Sequence, residues 1–130
     1  QFLSEVTVIC EYIEEKYPTP ALIGTNAEER ARTRMWTRRI DLNIVEPMTN
    51  DFRYGEGLQL FQNRIPTAPE ASAGLKRVAQ DRLSWLDKMI EGHTFIAGDK
   101  ISLADLIRDE PDAKIPMLAS PPAGVRGRQA

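Results

Sequence analysis

The chain has 130 residues, a length typical of one domain. It is 42% hydrophobic and 28% charged, with a formal net charge of −2, and this balance argues against nucleic acid or an anionic membrane as the main partner. No apolar run reaches the roughly 18 residues that a membrane-spanning helix needs, so we expect no transmembrane segment.

The cysteine content and the N-terminus suggest a setting for the protein. The one cysteine, Cys10, excludes an internal disulfide and a multi-cysteine zinc site, and it favours a reducing, cytoplasmic environment. The N-terminal segment is rich in glutamate and has no basic leader, so we do not expect it to be a secretory signal. The absence of an initiating methionine suggests that the sequence is part of a longer protein or follows processing.

The first predicted helix runs from Ser4 to Tyr17. Ser4 is its expected N-cap, and Pro18 and Pro20 end it. Its apolar side chains fall at helical spacing along one side, here termed the apolar stripe: Val6, Ile9, Cys10, Ile13 and Tyr17.

The second predicted helix begins at Asn26 and extends to about Val45. Asn26 and Glu29 have the spacing of a capping box, in which each residue satisfies a backbone N–H near the other. Pro47 is expected to bend or interrupt the helix. Residues 51–66 have weak periodicity, which predicts a frayed helix end followed by a loop.

The third predicted helix covers residues 69–91. Thr67 and Glu70 form a second capping-box pattern, Pro69 suits the first turn, and Gly92 is the expected stop. Its predicted buried face consists of Leu75, Val78, Ala79, Leu83, Leu86 and Ile90. Strand-like alternation is absent, so the sequence predicts an all-α partial helical bundle.

A fourth helix start has the clearest local signal. Ser102 is the candidate N-cap, and Asp105 lies three residues later, where its carboxylate can reach back to the Ser102 N–H. Ile101 and Leu106 occupy the positions of a hydrophobic staple. By itself this pattern indicates a structural capping box and no activity.

Three segments together resemble the cytosolic glutathione S-transferases. HTFIAGDKISLADLI is similar to a run in their helical domain, SEVTVICEYIEEKYPTPALIG to the last helix of their thioredoxin-like domain with its linker, and EERARTRMWTRRID to the opening of the helical domain. The resemblance implies that residues 1–20 form that terminal helix and linker. It further implies that residues 21–107 form an incomplete C-terminal-like helical domain, and that 108–130 are a divergent, disordered tail.

The tail departs from the family pattern. In the family the capped helix continues through apolar residues, whereas here four prolines follow Ile107, at positions 111, 116, 121 and 122. Such proline density cannot support a core helix. We therefore expect a truncated, spliced or frameshifted gene product rather than a natural replacement tail.

The resemblance implies a chemistry and assigns parts of it to residues. Family members stabilise the thiolate of their co-substrate glutathione, which attacks a hydrophobic electrophile; they use no resident cofactor or metal and form homodimers. The thiolate-stabilising Tyr, Ser or Cys is expected before Gln1. Glu5 matches the acid that holds the γ-glutamyl end, and Val6 replaces the adjacent serine, so the resemblance favours a glutathione clamp by descent more than present binding. We expect this chain alone to be inactive; the alternative is a non-catalytic helical interaction module.

For the other candidate residues we expect ordinary structural roles or none. Cys10 lies on the apolar stripe, where packing is favoured over a nucleophilic role, and His93 has no visible partner. Arg30, Arg34 and Arg38 form a basic helix face. This face could contact phosphates or an acidic partner, but we expect a solvated face paired with neighbouring glutamates, Glu28 and Glu29.

Overall fold

This computed structural model describes residues 2–109, which are helical or irregular and contain no strand. The predicted all-α fold class is therefore confirmed for this part of the chain. The elements are α1 (Val6–Lys16), α2 (Ala27–Ile40), a π-helical segment (Asp41–Val45), α3 (Glu46–Tyr54), α4 (Leu58–Phe61), a 3₁₀ turn (Pro69–Ala71), α5 (Ser72–Met89) and α6 (Leu103–Asp109). Residues 108 and 109 belong to α6, and the rest of the predicted tail lies outside the described residues.

The predicted cap of α2 forms, with one change of partner. Asn26 Oδ1 accepts a hydrogen bond from the Glu29 N–H at 2.9 Å, as a capping box requires. The Glu29 carboxylate, however, reaches one residue further back and accepts from Thr25 N and Thr25 Oγ1, each at 2.9 Å. The turn before α2 is therefore tied to its first helical turn at two successive residues.

The helix predicted from Asn26 to Val45 changes its winding before it ends. After Ile40 the backbone forms a π-helical segment, in which the Glu46 N–H donates to the Asp41 carbonyl five residues earlier. Pro47, which cannot donate a backbone hydrogen bond, falls in the first turn of α3. The helix is therefore interrupted just before Pro47, by a wider π-helical turn, and Ile40 and Ile44 are both buried.

The core lies where α2, the π-helical segment, α5 and the start of α6 meet. Its buried side chains are Trp36, Ile40, Ile44, Leu86, Ile96, Ala97 and Ala104. Leu86 and Ala79 of α5 are buried as predicted, whereas Val78 is exposed. The prediction for Val78 was wrong because the apolar face is wider than the surface that packs against it.

The start of α5 does not use the predicted second capping box. The 3₁₀ turn begins after Ala68 without any side-chain cap, so the pairing expected for Thr67 and Glu70 was wrong. A longer-range contact replaces it, because Ser72 Oγ donates to Asp51 Oδ1 at 2.6 Å. Asp51 is buried, so this bond satisfies a carboxylate between α3 and α5 that would otherwise lack a partner.

Candidate functional site

The N-terminus of α1 has an unusual backbone geometry. The N-cap residue is Glu5, with φ 70° and ψ 116°, and its side chain makes no capping hydrogen bond. The prediction of Ser4 as the cap was therefore wrong. A positive φ at a residue other than glycine typically costs about 1–3 kcal/mol and persists where the surroundings demand it, often at a ligand site. Among the described residues, Glu5 is the one non-glycine with positive φ.

The first turn of α1 is open to solvent. Val6, its first helical residue, is 69% exposed, and Glu5 beside it is exposed as well. The first N–H groups of a helix have no partner within the helix, and the helix dipole favours negative charge there. This end of α1 therefore offers backbone donors for an anion next to a carboxylate that can accept from a cation.

The side of α1 that faces the rest of the molecule is largely polar. Much of the apolar stripe is uncovered, since no residue of α1 is buried and Val6, Ile13 and Tyr17 are 69%, 51% and 73% exposed. The partly buried residues of α1 are Thr7, Ile9, Cys10, Glu11 and Glu14. Hydrophobic periodicity identifies an apolar face, but it cannot identify the surface that covers that face.

Glu14 joins α1 to the segment that leads into α2. Its two carboxylate oxygens accept from the Ile23 N–H at 2.8 and 3.1 Å, and one of them also faces the Gly24 N–H at 3.3 Å. Ile23 and Gly24 are both buried. Glu14 was not singled out from the sequence, because a contact across nine residues of irregular chain leaves no local pattern.

Glu11 joins α1 to α2 itself. Arg34 donates through Nε at 2.8 Å and through Nη2 at 2.9 Å to the two oxygens of Glu11, a bidentate pair. The Arg34 hydrogen bond lowers the pKa of Glu11 below its usual value, and desolvation opposes the shift more weakly. Because the Arg34 side chain is 52% exposed and the Glu11 side chain 34%, solvent screens this pair and it contributes less than about 1 kcal/mol.

The basic face of α2 is paired, but not with the predicted partners. Arg34 binds Glu11, Arg38 approaches Asp41 at 3.3 Å, and Arg30 Nε donates to the Gly24 carbonyl at 3.0 Å. The expectation of pairing with Glu28 and Glu29 was wrong for these three side chains. Their contacts hold neighbouring segments of the chain together.

A cavity of about 280 Å³ lies between α1 and α2. It is lined by Thr7, Glu11, Ile23, Thr33, Arg34, Thr37, Arg38, Asp41 and Leu103. The Thr37 hydroxyl is buried and has no hydrogen-bond partner among the described residues. Several of the lining side chains are polar and the space is large enough for water, which is the ordinary partner of such a hydroxyl.

The predicted box at α6 is arranged around Asp105. Its Oδ2 accepts from Ser102 N at 2.9 Å and from Ser102 Oγ at 2.8 Å, while its Oδ1 accepts from Ile96 N at 2.9 Å. The serine hydroxyl thus donates to the carboxylate instead of accepting from the helix. All of these contacts are internal, so the structure gives Ser102 and Asp105 a structural role away from the α1 N-terminus.

The structure places neither His93 nor Cys10 in a candidate site. His93 is exposed and Cys10 is a half-buried free thiol. Within residues 2–109 no three His, Cys, Asp or Glu side chains come together as a metal site would require. Trp36 packs against Trp85 with ring centroids 6.3 Å apart, as an aromatic pair of the core region. Across the same residues, each helix is too short or too polar to cross a bilayer.

Curated proteins similar to this chain are glutathione S-transferases. The chain is 27% identical over 109 residues to glutathione S-transferase 2 of Saccharomyces cerevisiae, which covers 80% of this chain and 45% of that protein. It is 28% identical over 102 residues to a probable glutathione S-transferase of Nicotiana tabacum, covering 78% of this chain and 40% of the relative. The chain thus spans less than half the length of these relatives. No family model matches it.

Solved structures agree on the fold. Gtt2 from Saccharomyces cerevisiae superposes with a TM-score of 0.69 at 23% identity, covering 89% of this chain and 59% of Gtt2. A glutathione S-transferase domain-containing protein from Marinobacter aquaeolei VT8 gives 0.67 at 22% identity, covering 88% and 59%. At this identity the likeness establishes the helical arrangement and not the chemistry.

Proposed function

The chain is related to the glutathione S-transferase family over 109 residues, and we propose that the N-terminus of its α1 is the part of a glutathione site that holds the γ-glutamyl end of the tripeptide. The observation that carries the proposal is the backbone of Glu5, whose φ of 70° turns an exposed carboxylate beside the open first turn of a helix. The Glu5 carbonyl accepts from the Ile9 N–H at 3.0 Å, but the Glu5 side chain makes no capping hydrogen bond that would account for this conformation. A ligand clamp is a common setting for strain of this kind.

The two groups at this end match the chemistry of a γ-glutamyl moiety. That moiety carries an ammonium group and a carboxylate on the same carbon. Glu5 supplies an acceptor for the ammonium, and the free N–H groups of the first turn supply donors for the carboxylate. Val6 offers no hydroxyl, and the missing hydrogen bond weakens binding by about 0.5–1.5 kcal/mol. We therefore propose weak binding, with Glu5 as the main determinant.

Titration with glutathione followed by amide chemical shifts tests this site. Glutathione should shift the amides of Val6, Thr7 and Val8, and the dipeptide Cys-Gly, which lacks the γ-glutamyl group, should not. Glu5→Gln should abolish the response, and Glu15→Gln, at the other end of the same helix, should preserve it. Equal responses to both peptides, or a response that survives Glu5→Gln, would overturn the proposal.

Conjugation is a separate step, and we propose that this chain alone does not catalyse it. Holding the γ-glutamyl end accelerates a reaction only if the sulfur atom is also positioned and its thiolate stabilised. The resemblance assigns that task to a residue of the thioredoxin-like domain. The hydrophobic electrophile, the homodimer and the cytoplasmic location belong to the same proposal about the whole protein.

A non-catalytic interaction module is the second candidate. The observation that favours it is the exposed part of the apolar stripe, Val6, Ile13 and Tyr17, because exposed apolar surface commonly marks an interaction site. The two candidates differ in the role of Glu5, since a module that binds through the stripe does not require that carboxylate. The glutathione titration therefore discriminates between them.

A further inference from the structure

We infer that Glu14 is a positioning residue, whose carboxylate docks α1 on the segment 22–24 and thereby fixes the location of Glu5. The identity of the ligand at Glu5 rests on the proposed function; the docking of α1 does not. No residue of α1 is fully buried, so apolar packing alone does not hold this helix against the others.

Directed polar contacts add to limited apolar packing along α1, where Ile9 and Cys10 are only half-buried. The side chains at helical spacing that are turned inward include Thr7, Glu11 and Glu14, and two of these three are carboxylates with named partners. A carboxylate that accepts from backbone N–H groups has a fixed direction and distance, whereas an apolar contact can slide. The orientation of α1 therefore depends on few, well-defined bonds.

The segment 22–24, which Glu14 contacts, is also hydrogen-bonded to α6 and to α2. The Leu22 carbonyl accepts from the Leu103 N–H at 2.9 Å, which ties the segment to the first residue of α6. The Gly24 carbonyl accepts from Arg30 Nε at 3.0 Å, which ties it to α2. Gly24 has φ 139°, and a Cβ there would lie 2.7 Å from Glu29 Cβ, so the backbone packs directly on α2. Glu14 thus connects α1 to a platform shared by α2 and α6.

The Glu11–Arg34 pair cannot supply this docking by itself. The Arg34 side chain is 52% exposed, and an accessible ion pair between long side chains restrains orientation weakly. The Glu14 carboxylate instead meets the amides of two buried residues, Ile23 and Gly24. We therefore expect the loss of the Glu14 hydrogen bonds to make the orientation of α1 more variable.

Because α1 is a rigid helix, the contacts of Glu14 also determine where Glu5 lies. Glu5 lies about 13 Å from Glu14 along the helix axis, so a tilt of about 10° at the anchor displaces Glu5 by about 2 Å. A displacement of that size separates a carboxylate from an ammonium partner that it would otherwise contact. Loss of the Glu14 contacts should therefore be felt at the opposite end of α1.

Three matched variants test the inference on the full chain. Glu14→Ala removes both acceptor oxygens, Glu14→Gln keeps one, and Glu15→Ala alters an exposed neighbour whose side chain makes no hydrogen bond among the described residues. Hydrogen exchange of the Ile23 and Gly24 amides reports the contact itself. Residual dipolar couplings of α1 amides, referred to those of α2, report the orientation of the helix without any ligand. Exchange of the Leu86 amide in α5 monitors global unfolding.

We expect Glu14→Ala to speed exchange at Ile23 and Gly24 by about tenfold or more and to reduce the α1 couplings, while Leu86 is unchanged. Glu14→Gln should give an intermediate effect and Glu15→Ala none. In the glutathione titration, Glu14→Ala should weaken the response of the Val6 amide on the order of tenfold, because the site is no longer preorganised.

Each contrary result has a distinct meaning. Unchanged α1 couplings in Glu14→Ala, or an equal effect of Glu15→Ala, would overturn the positioning role. A rise in Leu86 exchange that matches the rise at Ile23 would also overturn it, because the effect would then be global unfolding. If the wild-type chain does not respond to glutathione, the proposed ligand fails, and the couplings still decide whether Glu14 positions α1.

Discussion

The carboxylate of Asp105 accepts a hydrogen bond from the backbone N–H of Ile96 at 2.9 Å, across nine residues of chain. The same carboxylate caps α6 through Ser102, so a single side chain closes the loop that enters the helix. Asp105 is 4% exposed, and Ile96 and Ala104 beside these contacts belong to the core. The cap of α6 is therefore also a support of the core.

Asp105→Ala should be strongly destabilising. Three donors would lose their acceptor inside the protein, and we expect a loss of about 3 kcal/mol or more in the free energy of unfolding. Urea denaturation followed by circular dichroism measures it. Asp99→Ala, at an exposed position in the same loop, should change stability by less than about 0.5 kcal/mol. Equal effects of the two substitutions would refute the role given to Asp105.

The sequence predicted contacts that are local in the chain. Ser102 and Asp105 stand three residues apart, so their pairing follows from the spacing of a helix start. The Ile96 contact could not be predicted in this way, because it depends on how the loop folds back. The same limit applies to Glu14, whose partners Ile23 and Gly24 are reached through an irregular segment.

The candidate site at α1 was predicted in part. The resemblance identified Glu5 and Val6 as candidates. The positive φ of Glu5 could not be inferred, because glutamate has no intrinsic preference for positive φ. The apolar periodicity of α1 identified the stripe but not which of its residues pack: Ile9 and Cys10 are half-buried, and Val6, Ile13 and Tyr17 are exposed. Burial depends on the neighbouring surface, and the described part of the chain offers α1 a polar one.

Two glycines should respond to alanine in opposite directions. Gly24→Ala forces a side chain onto a backbone with φ 139° and against Glu29 and the Arg30 N–H, so we expect a loss of about 1–3 kcal/mol. Gly74 lies within α5 with space around it, and Gly74→Ala should raise stability by about 0.5–1 kcal/mol. Thermal melts of the two variants check both signs, and a stabilised Gly24→Ala would contradict the described turn.

The Glu11–Arg34 pair should contribute to stability only when Glu11 is ionised. Arg34 lowers the pKa of Glu11 from its ordinary 4.5, so the contribution is present above that value and is lost as pH falls through the lower pKa of the folded state. The difference in unfolding free energy between wild type and Glu11→Gln should be below about 1 kcal/mol at pH 7 and should shrink as the pH falls through the lowered pKa of Glu11. A difference that grows on acidification would have the wrong sign.

The apolar stripe should make the chain self-associate. Val6, Ile13 and Tyr17 are largely exposed on one side of α1, and burial of this surface between molecules is favourable. Sedimentation velocity should show a mass that rises with concentration, and Ile13→Lys with Tyr17→Lys should reduce the association. Val78→Lys, an exposed apolar position on α5, is the control and should not. A strict monomer at all concentrations would rule out this role for the stripe.

The central claim is that this chain holds part of glutathione and does not activate it. The most direct measurement is the rate of thiol conjugation between glutathione and a generic aromatic electrophile, with and without the chain, because the proposed contact at Glu5 holds the γ-glutamyl end and does not itself stabilise the thiolate. We predict a rate equal to the uncatalysed reaction for the wild type and for Glu5→Ala. A wild-type rate clearly above background that is lost in Glu5→Ala would show a working active site and contradict the account.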